Sequence, residues 1–83
     1  MKKNELFKKI KIALAEVLNI TTEEIKMESS LMEDLGADSI DMATLLVTME
    51  DEFEQELDLE ELKKVVTVKD IVRYIQLSHM ITR

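Results

Sequence analysis

The sequence contains no cysteine, no proline and a single glycine in 83 residues. Without cysteine, a disulfide framework, a cysteine-ligated zinc site and a thiol nucleophile are all excluded. Strands joined by tight turns usually need glycine and proline, whereas helices form without them. The longest apolar runs are only a few residues, too short to cross a bilayer. We therefore expect an all-α, cytoplasmic protein.

Basic residues are nearly absent from the middle of the chain. Between Ile12 and Leu62 there are sixteen Asp or Glu residues and one Lys, and the formal net charge of the whole chain is −7. Such a surface repels nucleic acids and anionic membranes, and it suits partners with basic patches. The alternative is that these charges only solvate the protein.

The length and the 46% hydrophobic content fit one folded domain, residues 1–83, with a core of about residues 4–77. We expect it to be a monomer. Apolar residues recur at three- and four-residue spacing, which predicts three longer helices and one short helix. The predicted helices run from Asn4 (as cap) to Leu18, from Ser39 to about Glu54, from Asp58 (as cap) to Val65, and from Thr67 to about Leu77.

The connection over residues 19–38 is long for a compact domain, and such loops often have a function. Thr22 is placed to cap a short turn carrying Ile25. Gly36, the only glycine, stands just before the second helix, where a positive φ would require it. Three apolar residues are predicted to pin the loop to the core: Leu31, Met32 and Leu35.

The second helix has two apolar faces at about 100° per residue. One is wide enough to face the core and contains Met42, Leu45, Leu46, Met49 and Phe53. The other is a small apolar patch ringed by carboxylates, which is typical of a docking face, although a few exposed apolar residues are also ordinary. The predicted docking face comprises Ile40, Asp41, Ala43, Val47, Glu50, Asp51 and Glu54.

Ser39 opens this second helix, with Asp38 as a suitable N-cap and Asp41 in capping-box spacing. A serine there is most often a cap or a solvated hydroxyl. The context Leu35-Gly36-Ala37-Asp38-Ser39-Ile40-Asp41, however, closely resembles the Asp-Ser-Leu motif of acyl carrier proteins. The resemblance extends without a gap from about Leu6 to Ile75, including Leu18-Asn19-Ile20, Leu31-Met32-Glu33-Asp34-Leu35, Glu50-Asp51-Glu52-Phe53 and Val66-Thr67-Val68.

The resemblance implies an acyl-carrier-type four-helix bundle with 4′-phosphopantetheine attached covalently to Ser39. It further implies that Asp38 lends a carboxylate near the magnesium of a phosphopantetheinyl transferase. Acyl groups would be held as thioesters, a growing chain would fold back between the helices, and the partners would be acyl-transferring and fatty-acid synthesis enzymes with basic docking patches. Ile40, Thr44 and Asp58 depart from the residues usual in the family, and they put partner identity in doubt.

The residues do not predict an enzyme. A catalytic serine needs an oriented general base, and the only histidine, His79, lies near the far end of the chain. The acidic residues do not match the spacing of a calcium loop, so no metal site is expected. Two other readings stay open: a carrier for polyketide, aminoacyl or another dedicated cargo, and an unmodified acidic adaptor.

Overall fold

The computed structural model describes residues 2–81, and side chains through residue 78. Within that range it contains four α-helices, which we number α1 to α4, and one short 3₁₀ turn. No strand forms among these residues, where an isolated bridge between Ser30 and Thr67 is the only β-type pairing. The prediction of an all-α, four-helix fold is confirmed. The elements are α1 (Lys3–Leu18), the 3₁₀ turn (Thr22–Glu24), α2 (Ser39–Phe53), α3 (Leu59–Leu62) and α4 (Val68–Ile81).

Three predicted helix ends were wrong. Asn4 is inside α1, whose N-cap position is Lys2, because the Glu5 carboxylate already accepts from the Lys2 amide at 3.3 Å. The short helix α3 ends at Leu62 rather than Val65. At the other end of the chain α4 continues to Ile81, four residues beyond the point where the apolar pattern weakens.

One hydrophobic core joins all four helices and the long loop. Within the described side chains no polar or charged residue is buried in it. Burial of apolar surface stabilises the folded chain by about 25 cal/mol per Å² and drives the packing of the helices. The core consists of Leu6, Ile10, Ala13 and Leu14 of α1, Ile25, Leu31 and Ala37 of the loop, Met42, Leu45 and Met49 of α2, Leu62 of α3, and Val68, Ile71, Val72 and Ile75 of α4.

The long loop is attached to the start of α4 by backbone hydrogen bonds. The Leu31 amide donates to the Val66 carbonyl at 2.9 Å, and the Val68 amide donates to the Ser29 carbonyl at 3.1 Å. Leu31 is buried and Leu35 is half-buried, so both are anchors as predicted. Met32 is not an anchor, since its side chain is 57% exposed.

The turn in this loop is capped one residue earlier than predicted. Thr21, not Thr22, precedes the 3₁₀ turn, and both its amide and its hydroxyl donate to the Glu24 carboxylate at 3.1 Å. Ile25 follows the turn and is buried as expected. Among the described helices none combines the length and the hydropathy needed to span a bilayer.

Candidate functional site

The start of α2 is a reciprocal capping box. The Asp41 amide donates to Asp38 Oδ1 at 2.9 Å, and the Asp38 amide donates to Asp41 Oδ2 at 3.1 Å. The Met42 amide donates to the Asp38 carbonyl at 2.9 Å and begins the helical ladder. Within residues 2–81 the amides of Ser39 and Ile40 have no acceptor. Two free N–H groups therefore remain at the positive end of the helix dipole.

The backbone leading into Ser39 is fixed from the loop side. Gly36 has φ +77°, as the sequence predicted, and a Cβ there would meet no atom within 4 Å. The requirement for glycine is therefore one of backbone conformation and not of space. Ala37 is buried, and its amide donates to the Leu31 carbonyl at 2.8 Å. Ser39 itself is exposed, so a rigid backbone presents its hydroxyl to solvent.

Asp70 holds the segment to which this loop is attached. Its Oδ2 accepts from the amides of Thr67, at 3.1 Å, and Val66, at 3.0 Å. These backbone N–H groups, that of Thr67 foremost, lower the pKa of Asp70 below its usual value, against an opposing effect of burial. Because the Val66 carbonyl accepts from the Leu31 amide, this carboxylate supports the loop that leads to Ser39.

Two contacts connect Asp70 with the loop that leads to Ser39, and only one of them could be predicted from the sequence. The capping-box spacing of Thr67 and Asp70 was recognisable there. The pairing of Leu31 with Val66 was not, because it uses backbone atoms far apart in the chain and places no demand on side-chain type.

The exposed face of α2 contains the apolar residues that the sequence assigned to docking. Ile40 is 75% exposed and Val47 is 63% exposed, while Ala43 is half-buried. Asp51 and Glu54 are exposed beside them, and Asp41 is half-buried at the helix start. The opposite stripe is internal, with Met42, Leu45 and Met49 buried and Leu46 and Phe53 packed against the core.

Glu50 differs from the other acidic residues that the sequence placed around this patch. It is half-buried, and its Oε2 accepts from the Leu57 amide at 2.9 Å in the connection between α2 and α3. Sequence reasoning missed this contact because nothing in the helical spacing marks it. Glu50 therefore supports the fold, so a substitution there would not test docking alone.

Ser39 is not activated as a nucleophile by any of the described side chains. None of them is a general base hydrogen-bonded to it, and no group of acidic or histidine residues there could hold a metal ion. The side chain of His79 lies outside the described residues. The arrangement instead combines an exposed hydroxyl with free amides, which is suited to carrying an anionic group.

Comparisons with known proteins agree with this chemistry. The family described as "Phosphopantetheine attachment site" matches residues 8–75. The chain is 48% identical over 71 residues to a protein named "Acyl carrier protein" from Clostridium acetobutylicum, covering 86% of this chain and 92% of that relative. It is 46% identical over 71 residues to one of the same name from Wolinella succinogenes, covering 86% and 93%.

The fold is also similar to that of a solved structure from Mycobacterium tuberculosis, provisionally described as an acyl carrier protein. The TM-score is 0.79 at 25% sequence identity. The match covers 88% of this chain and 97% of the other, so it includes nearly all of both folds.

Proposed function

The chain belongs to the acyl carrier protein family, and from that premise we propose that Ser39 carries its 4′-phosphopantetheine arm. Members of this family are carriers rather than enzymes, and the prosthetic group is covalently attached. The observation that supports Ser39 most directly is its exposed hydroxyl at the first position of α2, inside a rigid capping box.

The start of α2 fits the group that Ser39 would hold. Attachment creates a phosphodiester, and its anionic oxygens are stabilised near free N–H groups at a helix N-terminus. The amides of Ser39 and Ile40 are the free groups in this position among residues 2–81. When bound, the arm supplies a terminal thiol that holds acyl groups as thioesters. The chain has no thiol of its own because it has no cysteine.

Asp38 is the residue we propose to assist attachment. Its Oδ1 is engaged by the Asp41 amide, whereas its Oδ2 has no donor among the described residues. One oxygen can therefore keep the helix capped while the other faces the magnesium of a phosphopantetheinyl transferase. Magnesium prefers carboxylate oxygens and usually binds one or two of them.

Intact-mass measurement tests the attachment site. The purified chain is incubated with coenzyme A and a phosphopantetheinyl transferase, beside a Ser39→Ala variant. We expect the wild type to gain the mass of one arm and the variant to gain nothing. Since Ser39 is exposed, the variant should keep its helical circular dichroism. Modification of the folded variant, or no modification of the wild type alongside a known carrier, would contradict the proposal.

We further propose that the cargo is a fatty acyl chain, for fatty-acid or lipid synthesis, that folds back against the buried stripe of α2. Met42, Leu45 and Met49 line that stripe, and the flexible methionines can rearrange around a guest. Each methylene removed from water contributes about 0.8 kcal/mol. The melting temperature should therefore rise as acyl groups of four, six and eight carbons are loaded. A flat series would instead favour a dedicated polar cargo, such as an aminoacyl group.

Docking of acyl-handling enzymes is proposed at Ile40, Ala43 and Val47, with a basic partner surface against the acidic residues around them. Val47→Lys places a cation in the patch and should raise the KM of an acyl-transferring enzyme for the holo chain about fivefold. Val66→Lys is a matched control, because Val66 is 60% exposed and lies outside α2. Equal effects of the two substitutions would refute this docking face.

A further inference from the structure

A shallow groove of about 130 Å³ lies between α1 and α2. Since roughly 10–15 Å³ of such probe volume is enough for one water, the groove has room for several water-sized groups. The space is therefore too small for a folded segment but sufficient for one long side chain. It is lined by Lys9, Ile12, Ala13 and Glu16 of α1 and by Thr48 and Glu52 of α2.

The α1 side of the groove supplies apolar surface. Ala13 is buried, while Ile12, one residue earlier, is half exposed to solvent. An exposed isoleucine on a helix of this small protein leaves apolar area that an aliphatic stem could cover. Covering such surface is favourable by about 25 cal/mol per Å².

The charged groups that line the groove are one lysine and two glutamates, so one carboxylate has no cation to balance it. The Lys9 ammonium is paired with Glu52 Oε2 at 2.9 Å, and the Thr48 hydroxyl donates to the Thr44 carbonyl at 3.0 Å. Glu16 is exposed, and among the described side chains it has no hydrogen-bond or ion-pair partner. The unmatched charge is thus a carboxylate, which calls for a cationic donor.

The groove continues the docking face of α2 around the helix. Thr48 follows Val47 in the chain and is therefore about 100° further around the axis. Thr44 and Asp51 lie between these two directions and are both exposed. An enzyme seated on Val47 would reach the groove without leaving the surface of α2.

We propose that this groove is a subsite for one arginine side chain of the acyl-handling enzymes that dock on α2. The aliphatic stem covers Ile12, and the guanidinium pairs with Glu16 beside the Lys9–Glu52 ion pair. Arginine fits better than lysine because its planar head binds a carboxylate through two parallel hydrogen bonds and is more weakly hydrated. The inference rests on the proposed function, since it extends the docking face named there.

Steady-state kinetics of an acyl-transferring enzyme with the holo chain test the subsite. Glu16→Gln should raise KM about three- to fivefold with kcat unchanged, the size expected for a partly exposed ion pair. Ile12→Ser should raise KM as well, and raising the salt concentration should remove the effect of Glu16→Gln but not that of Ile12→Ser. Glu23→Gln is the matched control, because Glu23 is exposed in the 3₁₀ turn and its charge change is identical.

A double-mutant cycle identifies the partner residue. Arginines on the enzyme's docking surface are replaced by glutamine, and one replacement should abolish the effect of Glu16→Gln while leaving that of Val47→Lys intact. The subsite is refuted if Glu16→Gln and Glu23→Gln behave alike while Val47→Lys still raises KM. If Val47→Lys also has no effect, the docking face itself fails.

Discussion

The helices α2 and α4 both begin with a capping box, but the first residue of α2 is exposed and that of α4 is buried. At α2 the pair is Asp38 and Asp41, and at α4 it is Thr67 and Asp70, each joined by reciprocal backbone-to-side-chain hydrogen bonds. The residue after the cap is Ser39 in one case and Val68 in the other. Ser39 is exposed, whereas Val68 is 0% exposed.

The two starts also differ in what their amides do. At α4 the Val68 amide donates to the Ser29 carbonyl and the Lys69 amide to the Met27 carbonyl, so the long loop occupies the helix end. At α2 the corresponding amides, of Ser39 and Ile40, have no acceptor among residues 2–81. A capping box therefore fixes both helix starts. The amides beyond it bind the long loop at α4, whereas at α2 they are left available for the anion that we propose there.

The largest expected effect comes from moving the hydroxyl between the two starts. Val68→Ser, made together with Ser39→Ala, should lower the free energy of unfolding by about 1.5–3 kcal/mol, because a fully buried valine is lost. No phosphopantetheine should be gained under conditions where circular dichroism confirms a folded chain. The checks are urea unfolding and intact mass.

Val68→Ser alone is the control for this exchange, and it should still be modified. If the double variant accepted the arm at a rate near that of the wild type, a serine after any capping box would be enough for modification. The differences in exposure and free amides between α2 and α4 would then not determine the attachment site.

The next largest effect is the pH dependence of the stability that the Asp70 carboxylate contributes at the start of α4. Asp70 has a folded-state pKa below the value of about 3.9 in an unfolded chain, so its contribution is fully present above that pH and is lost as pH falls through the lower folded pKa. Asp70→Asn should cost about 1 kcal/mol at pH 7, because a charged acceptor of two backbone N–H groups in the first turn of α4 is replaced by a neutral one. Urea midpoints of the variant and the wild type should converge below about pH 4. A gap that persists unchanged at pH 3 would mean that the charge of Asp70 is not its cause.

The smallest effect on stability is expected at Asp38. Asparagine is about as good an N-cap as aspartate, so Asp38→Asn should change the free energy of unfolding by less than about 0.5 kcal/mol. The rate of transferase modification should nevertheless fall by about tenfold or more, since the carboxylate that we propose to face the magnesium would be lost. An unchanged rate would leave Asp38 as a cap only.

Much of the helical architecture was predictable because it depends on the spacing of residues that are close together in the sequence. The burial of Met42, Leu45 and Met49 followed from spacing along one helix, and the Asp38–Asp41 box followed from two residues three apart. The positive φ of Gly36 followed from its place before a helix start. Each of these features depends on residues that are neighbours in the sequence.

The errors arose where position depends on distant parts of the chain. Met32 has the same apolar character as Leu31, yet Leu31 is buried and Met32 is exposed. The backbone hydrogen bond from the Leu31 amide to the Val66 carbonyl helps to fix which of the two faces inward, and no local spacing encodes that pairing. Glu50 was likewise assigned only to the docking face, because its bond to the Leu57 amide depends on how the chain turns after α2.

Fragmentation mass spectrometry of the modified chain tests the central claim most directly. Cleavage after lysine gives one peptide of residues 27–63, which contains Ser29 and Ser30 of the loop as well as Ser39. We predict that every fragment bearing the phosphopantetheine arm includes Ser39 and that none places it on Ser29 or Ser30. An arm on either loop serine, with Ser39 unmodified, would contradict the assignment of the α2 start as the attachment site.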